Sequence, residues 1–295
     1  MFVDPIKEGL AKGWLHIDAS QLGKDAVLEA DVCIIGTGAG GGIAADVLSS
    51  TGLKVVMIEE GMLKSSTDFR MLEAEAYPTL YQESASRKTA DKAINILQGR
   101  TVGGSTTVNW TSSFRTPTPT LKHWRERFGL TELTDEHMAG WFKLAEQLLS
   151  ISDWTAPANE NNSVLERGGQ KIGVKVERIR RNVKGCYNLG YCGMGCPTNA
   201  KQSMLTTTIP AALSRGAVLV SRARQSSLPL SSRATSSPAL VPTNSRPFFA
   251  PTPAAKASLV SSRLATRPVL RSTACSAPSR LAAHTMSPIR LGVNA

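Results

Sequence analysis

Two clusters of small residues and one cluster of cysteines are the parts of this sequence whose residue types and spacing could do chemistry. The first, GTGAGG, supplies Gly36, Gly38 and Gly41 in the spacing G-x-G-x-x-G. In such a turn the first glycine permits the tight bend, the second lets the backbone approach a diphosphate, and the third lets helix and strand pack closely. The second cluster, GRTVGGSTTVN from Gly99 to Asn109, sets a glycine pair before small hydroxyl residues. That arrangement can bring several N–H and O–H donors to a phosphate or to the edge of a ring. The third, GCYNLGYCGMGCP, spaces Cys186, Cys192 and Cys196 as C-x5-C-x3-C. Three close thiolates could hold a metal centre; a structural zinc site would want a fourth Cys or His, and no histidine is near.

The elements around the first cluster make its reading specific. DVCIIG has the β-rich character of a buried parallel strand, the segment Ile43 to Ser50 is helical in character, and Gly52 punctuates it. LKVVMIEEG then forms a second strand that ends in acids, and Glu59 stands about where a carboxylate accepts hydrogen bonds from an adenosine ribose. Strand, glycines, helix, strand and terminal acid in that order predict one mononucleotide-binding βαβ unit. The pattern leaves FAD, NAD and other nucleotides undecided.

Further along, Met138, Trp141, Phe142, Ala145, Leu148 and Leu149 recur at helical spacing within 134–151, which predicts an amphipathic helix with Trp141 and Phe142 in the core. A helix over 206–215, stopped by Gly216, and a strand over 218–220 follow. The fold class expected is α/β, a Rossmann-like dinucleotide-binding domain with a parallel sheet. Residues 1–30 read as a polar lead-in, 31–221 as the binding domain and 222–295 as a separate tail.

The tail carries the charge. The chain has a formal net charge of +11, and ten Lys or Arg with no Asp or Glu lie between Arg222 and Ala295, so the remainder is nearly neutral. That distribution argues against a folded nucleic-acid-binding face. The tail is rich in Ser, Pro, Arg, Ala and Thr without periodicity, a composition expected to stay largely disordered. It is either an authentic basic tail or, the preferred reading, the out-of-frame translation of a gene whose proper continuation is lost. The N-terminus lacks a secretory h-region, and the glycine-dense run 31–50 makes a poor membrane span. Five cysteines without an export signal fit a reducing compartment, so a cytoplasmic protein is expected, with peripheral membrane association as the alternative.

GRTVGGSTTVN closely resembles the first signature of the glucose-methanol-choline (GMC) oxidoreductases, and VCIIGTGAGGG and VVMIEEG resemble that family's first βαβ unit. The resemblance runs from about Leu10 to Arg224, includes GCPTNAKQSMLTTTIPAAL, and is expected to stop there. It implies FAD as cofactor, with Gly103, Gly104 and Ser105 along the pyrophosphate and Asn109 near the isoalloxazine. It also implies oxidation of the CH–OH group of an alcohol or sugar, with hydride passing to flavin N5. The stretch WTSSFRTPTPTLKHW looks more like the long-chain alcohol oxidase and sugar dehydrogenase branches than like glucose oxidase.

The cysteine spacing is similar to that of FAD-dependent glucose dehydrogenase catalytic subunits, family members that carry a three-iron cluster and pass electrons to a cytochrome. Buried free thiols, or a Cys192 to Cys196 disulfide, are the alternatives. The family places a catalytic His near its C-terminus, and none of His16, His123, His137 or His284 sits in a matching motif. No catalytic residue is assigned. The chain is therefore expected to be an incomplete flavoenzyme lacking its catalytic half. The competing reading is a nucleotide-binding or electron-transfer module whose basic tail binds a partner.

Overall fold

A computed structural model describes residues 2–23 and 26–223, together with the backbone of 230–231, 241–242 and 289–293. Its centre is a parallel sheet built from β1 (Leu15–Asp18), β3 (Val32–Ile35), β4 (Val55–Ile58) and β8 (Val218–Ser221), in the order β1-β8-β4-β3. The registers Val32 to Val55, Val56 to Val218 and Leu15 to Val218 align the strand ends on one edge. The segment read as a lead-in thus supplies a sheet strand, and before it the helix α1 (Pro5–Ala11), capped by Asp4. β2 (Ala26–Ala30) lies outside this sheet and pairs with the terminal β11 (Ile289–Val293), which also pairs with β9 (Leu230–Ser231); β10 (Val241–Pro242) adds to the free edge of β3.

Alternation along the strands divides the core in two, because successive side chains point to opposite faces. Ile34, Val55, Met57 and Leu219 face one layer, where α2 (Ala39–Ser50) and α8 (Thr208–Ser214) pack together over the sheet. Cys33, Val56, Ile58 and Val220 face the other, thinner layer with Ala19, Ala30 and Ala223. α3 (Glu73–Leu80) and the one-turn α4 (Ser105–Val108) complete the first layer through Ala76, Leu80 and Val108.

A second sheet, β5-β7-β6, is antiparallel and joins β5 (Ser112–Ser113), β6 (Ile151–Asp153) and β7 (Arg180–Asn182). Around it run α5 (Thr118–Phe128), α6 (Asp135–Leu148) and α7 (Glu160–Lys171). α6 begins where the sequence pattern places it, with Thr134 capping His137 N–H. Its apolar face, however, is not core. Trp141 is 60% exposed and no residue of α6 is buried, which corrects the expectation for Trp141; Phe142 is half-buried under the Arg115 guanidinium. Periodicity shows that a helix has an apolar face, and only the tertiary structure shows whether anything covers it.

α6 is held instead by ions. Arg115 grips both oxygens of Glu146 at 2.8 Å, and Arg180 donates to Glu146 Oε1 at 2.6 Å and to the Ile151 carbonyl at 3.0 Å. The hydrogen bonds from Arg115, joined by Arg180, hold the Glu146 carboxyl down at about 2. Most of the segment 222–295, where disorder was expected, lies outside the described residues.

Candidate functional site

The two clusters of small residues, some sixty residues apart in sequence, meet at the carboxyl end of the parallel sheet. β3 ends at Ile35, and Gly36 turns the chain with φ +90° while its N–H donates to the Ile58 carbonyl at 2.7 Å. Gly38 caps α2 with no side chain to satisfy the first-turn N–H groups, and Ala39 and Gly40 are exposed there. A helix start left open in this way presents N–H donors and its positive dipole end to an anion.

The second cluster arrives from the other side. Gly103 and Gly104 have φ of +87° and +54°, and Gly104 caps α4, again without a side-chain cap. A Cβ placed on Gly104 would lie 2.8 Å from the Cα of Gly38, so backbone runs directly against backbone.

Thr37, whose role the sequence pattern does not reveal, ties the clusters together. Its hydroxyl donates to Glu59 Oε2 at 2.7 Å and accepts from Gly103 N–H at 3.0 Å, and its own N–H donates to the same carboxylate oxygen at 2.9 Å. Glu59 Oε1 accepts one further bond, from Gly61 N–H at 3.0 Å. Burial pushes the Glu59 carboxyl above its usual range, against the hydrogen bonds from Gly61 and Thr37 that favour the anion. Ser105 Oγ accepts from Gly99 N–H at 2.9 Å, which leaves its own proton free to donate outward. Asn109 ends the segment on the surface, its side-chain oxygen accepting from Thr111 N–H at 3.2 Å.

Two cations beneath this segment, Lys201 buried and Arg181 half-buried, also went unsignalled in the sequence. Lys201 is 2% exposed and donates to the carbonyls of Thr107, Asn109 and Cys192 at 2.9, 2.7 and 2.6 Å. Burial pushes its ammonium down to about 8, opposed by Cys192 and Cys196. Arg181 donates to Thr111 Oγ1 at 2.7 Å and to the Trp110 carbonyl at 2.9 Å, with its guanidinium 4.5 Å from the centre of the Trp154 ring.

The cysteines do not form the centre their spacing suggested. Cys186, Cys192 and Cys196 line one pocket with Trp110 and Arg181, but all three are free thiols, and among the described residues no group of three His, Cys, Asp or Glu is placed to hold a metal ion. Each sulfur is engaged separately: Cys186 accepts from Asn188 N–H, Cys192 lies 3.9 Å from Arg181 Nη2, and Cys196 pairs with Thr198. Burial would raise the Cys196 thiol, but hydrogen bonds, from Thr198 foremost, outweigh it and lower the pKa. The arrangement gives no support to a three-iron cluster on these thiols, nor to the cytochrome expected to follow from it.

The histidines stand apart from the glycine clusters in their contacts. His16 bonds Ser221 across the β1 and β8 edge at 2.8 Å, His123 packs edge-on against Phe128, and His137 lies by Trp141. His284 and Cys275 lie outside the described residues.

A family model described as GMC oxidoreductase matches residues 77–268. The chain belongs to the GMC oxidoreductase family. The matched stretch contains Gly103, Gly104, Ser105 and Asn109 and begins after the first βαβ unit. It continues past Arg224, which corrects the expectation that the family likeness ends there.

The chain is 32% identical over 204 residues to an uncharacterized GMC-type oxidoreductase of Sinorhizobium fredii, a match covering 69% of this chain and 40% of that protein. It is 29% identical over 201 residues to a long-chain-alcohol oxidase of Arabidopsis thaliana, covering 68% of this chain and 26% of that one. The crystal structure of pyridoxine 4-oxidase from Mesorbium loti superposes with a TM-score of 0.49 at 16% identity, over 66% of this chain and 42% of that one. The chain thus spans at most two fifths of the length of these curated GMC relatives. Among the described residues no helix is long and apolar enough to cross a membrane.

Proposed function

We propose that this chain is the FAD-binding part of a flavoprotein oxidoreductase acting on the CH–OH group of an alcohol or sugar. The observation that carries the reading is the contact of Gly38 with Gly104, which sets two turns without side-chain caps against each other at the end of a parallel sheet. A diphosphate suits that chemistry, because it is an anion whose oxygens can take N–H donors from both turns at once. Glu59 Oε1, with one donor, keeps a lone pair for a ribose hydroxyl, and Ser105 keeps a proton for a phosphate oxygen. Asn109, exposed at the end of the same segment, would stand beside the ring system.

Bound there, the flavin would supply a hydride acceptor at N5. The residues of this chain bind and orient it, and no base for the hydroxyl proton is assigned among them. Membership of the GMC family and the similarity to a long-chain-alcohol oxidase of Arabidopsis thaliana support an alcohol as the substrate class.

The test is the spectrum of the supernatant after denaturing the folded, purified chain. One equivalent of free FAD is expected. A folded preparation that releases no flavin and binds NAD instead would overturn the proposal.

A further inference from the structure

Lys201 is among the largest fully buried side chains of the protein, and among the described residues no carboxylate forms a salt bridge with it. Taking an ammonium out of water without a carboxylate partner is expensive, and it is tolerated only where hydrogen bonds replace hydration. Here the replacement is complete: three N–H donors meet three backbone carbonyls, those of Thr107, Asn109 and Cys192.

The choice of carbonyls is informative. Thr107 lies in the last turn of α4 and Asn109 is its C-cap, so the two oxygens belong to the end of the short helix that begins at Gly104. Helix-end carbonyls lack intrahelical partners, and a cation there is favourable. The third carbonyl belongs to Cys192, in the cysteine loop. One charged atom therefore fixes both carbonyls flanking Val108 and ties them to a separate loop. A second tie runs in parallel, from Thr106 Oγ1, which donates to Gly103 O at 2.6 Å and accepts from Met204 N–H at 3.0 Å. The lysine thus sits behind Asn109, while the side of the same segment that carries Ser105 and Asn109 is exposed.

We propose that Lys201 is a positioning residue, whose ammonium sets the orientation of the Thr107 to Asn109 segment, and so of Asn109, against the flavin. The proposal rests on the FAD reading above. It separates two tasks within one loop: Gly103 to Ser105 hold the diphosphate, and Lys201 holds the part that meets the ring.

The experiment uses the full chain as wild type, Lys201→Met and Lys201→Ala, the last with and without propylammonium, a free amine the size of the missing side chain. FAD affinity is read by titration, and the ring environment by the visible absorption and circular dichroism of the bound flavin. Lys201→Ala is expected to bind FAD at least tenfold more weakly and to show an altered visible dichroism band, and propylammonium should restore both while propanol does not. Lys201→Met should share the defect without rescue.

If either variant matches the wild type in affinity and spectrum, the proposal fails. It fails equally if Lys201→Ala does not fold even with propylammonium, since the lysine would then serve the fold alone. A wild-type chain that binds no FAD removes the FAD reading itself, and this proposal with it, a result distinct from a wild type that binds and variants that are unchanged.

Discussion

Replacing Gly104 by alanine tests the approach of the two glycine turns directly. The residue has φ +54° and ψ −144°, a region essentially closed to residues with a side chain, and holding alanine there costs about 1–3 kcal/mol. The new Cβ would stand 2.8 Å from the Cα of Gly38, and because backbone cannot rotate away as a side chain can, relieving that overlap costs roughly another 1–3 kcal/mol. Alanine also restricts the unfolded chain, which returns about 0.4–1 kcal/mol. The net loss is about 1–6 kcal/mol, at roughly 2–4 °C of Tm per kcal/mol for a domain of this size.

Gly38→Ala supplies the control. Gly38 has φ −65°, and its added Cβ would find no atom nearer than the Gly104 Cα at 4.0 Å. Its stability without cofactor should stay within about 0.5 kcal/mol of the wild type. On the proposed FAD reading the methyl group would occupy the space of the diphosphate, so FAD should bind at least tenfold more weakly, about 1.4 kcal/mol. Thermal unfolding followed by circular dichroism, together with FAD titration, reads both effects. A Gly104→Ala variant that melts with the wild type, or a Gly38→Ala variant destabilised as much as Gly104→Ala, would refute the reasoning.

Two further predictions concern the polar framework. Thr37→Val leaves the Gly103 N–H buried without its acceptor and takes one of three donors from Glu59, so urea unfolding should show a loss of about 1–3 kcal/mol, largely spared in Thr37→Ser. Glu146, held at about 2 by Arg115 and Arg180 against an ordinary 4.5, contributes stability that is complete above the unfolded value and lost as pH falls through the folded one. The difference in urea midpoint between wild type and Glu146→Gln should therefore shrink between about pH 6 and pH 3. A difference that stays constant over that range would show that the arginines do not act through this carboxylate.

The first βαβ unit was legible because each signal in it is local. Alternating apolar runs marked β3 and β4, and the glycine spacing of Gly36, Gly38 and Gly41 marked the turn between strand and helix. Less legible was β1, since four residues with only partial burial at a sheet edge carry little pattern. Trp141 shows the limit of periodicity, because its spacing is that of a core residue while its surroundings are solvent. The cysteines show the limit of spacing, since C-x5-C-x3-C brought the thiols to one pocket without converging them on one point.

By itself, then, the sequence determined the glycine-rich turn after β3, the order of elements around it and the family signature at Gly99 to Asn109. These depend on backbone conformations that few residue types allow, so residue identity reports them directly. Only the tertiary structure decided that Gly104 lies against Gly38, that Thr37 bridges Gly103 to Glu59, and that Lys201 anchors the Asn109 segment from behind. Those are contacts between residues 22 to 92 positions apart, formed by backbone and by side chains that would look ordinary anywhere on a surface, and burial gives them their roles.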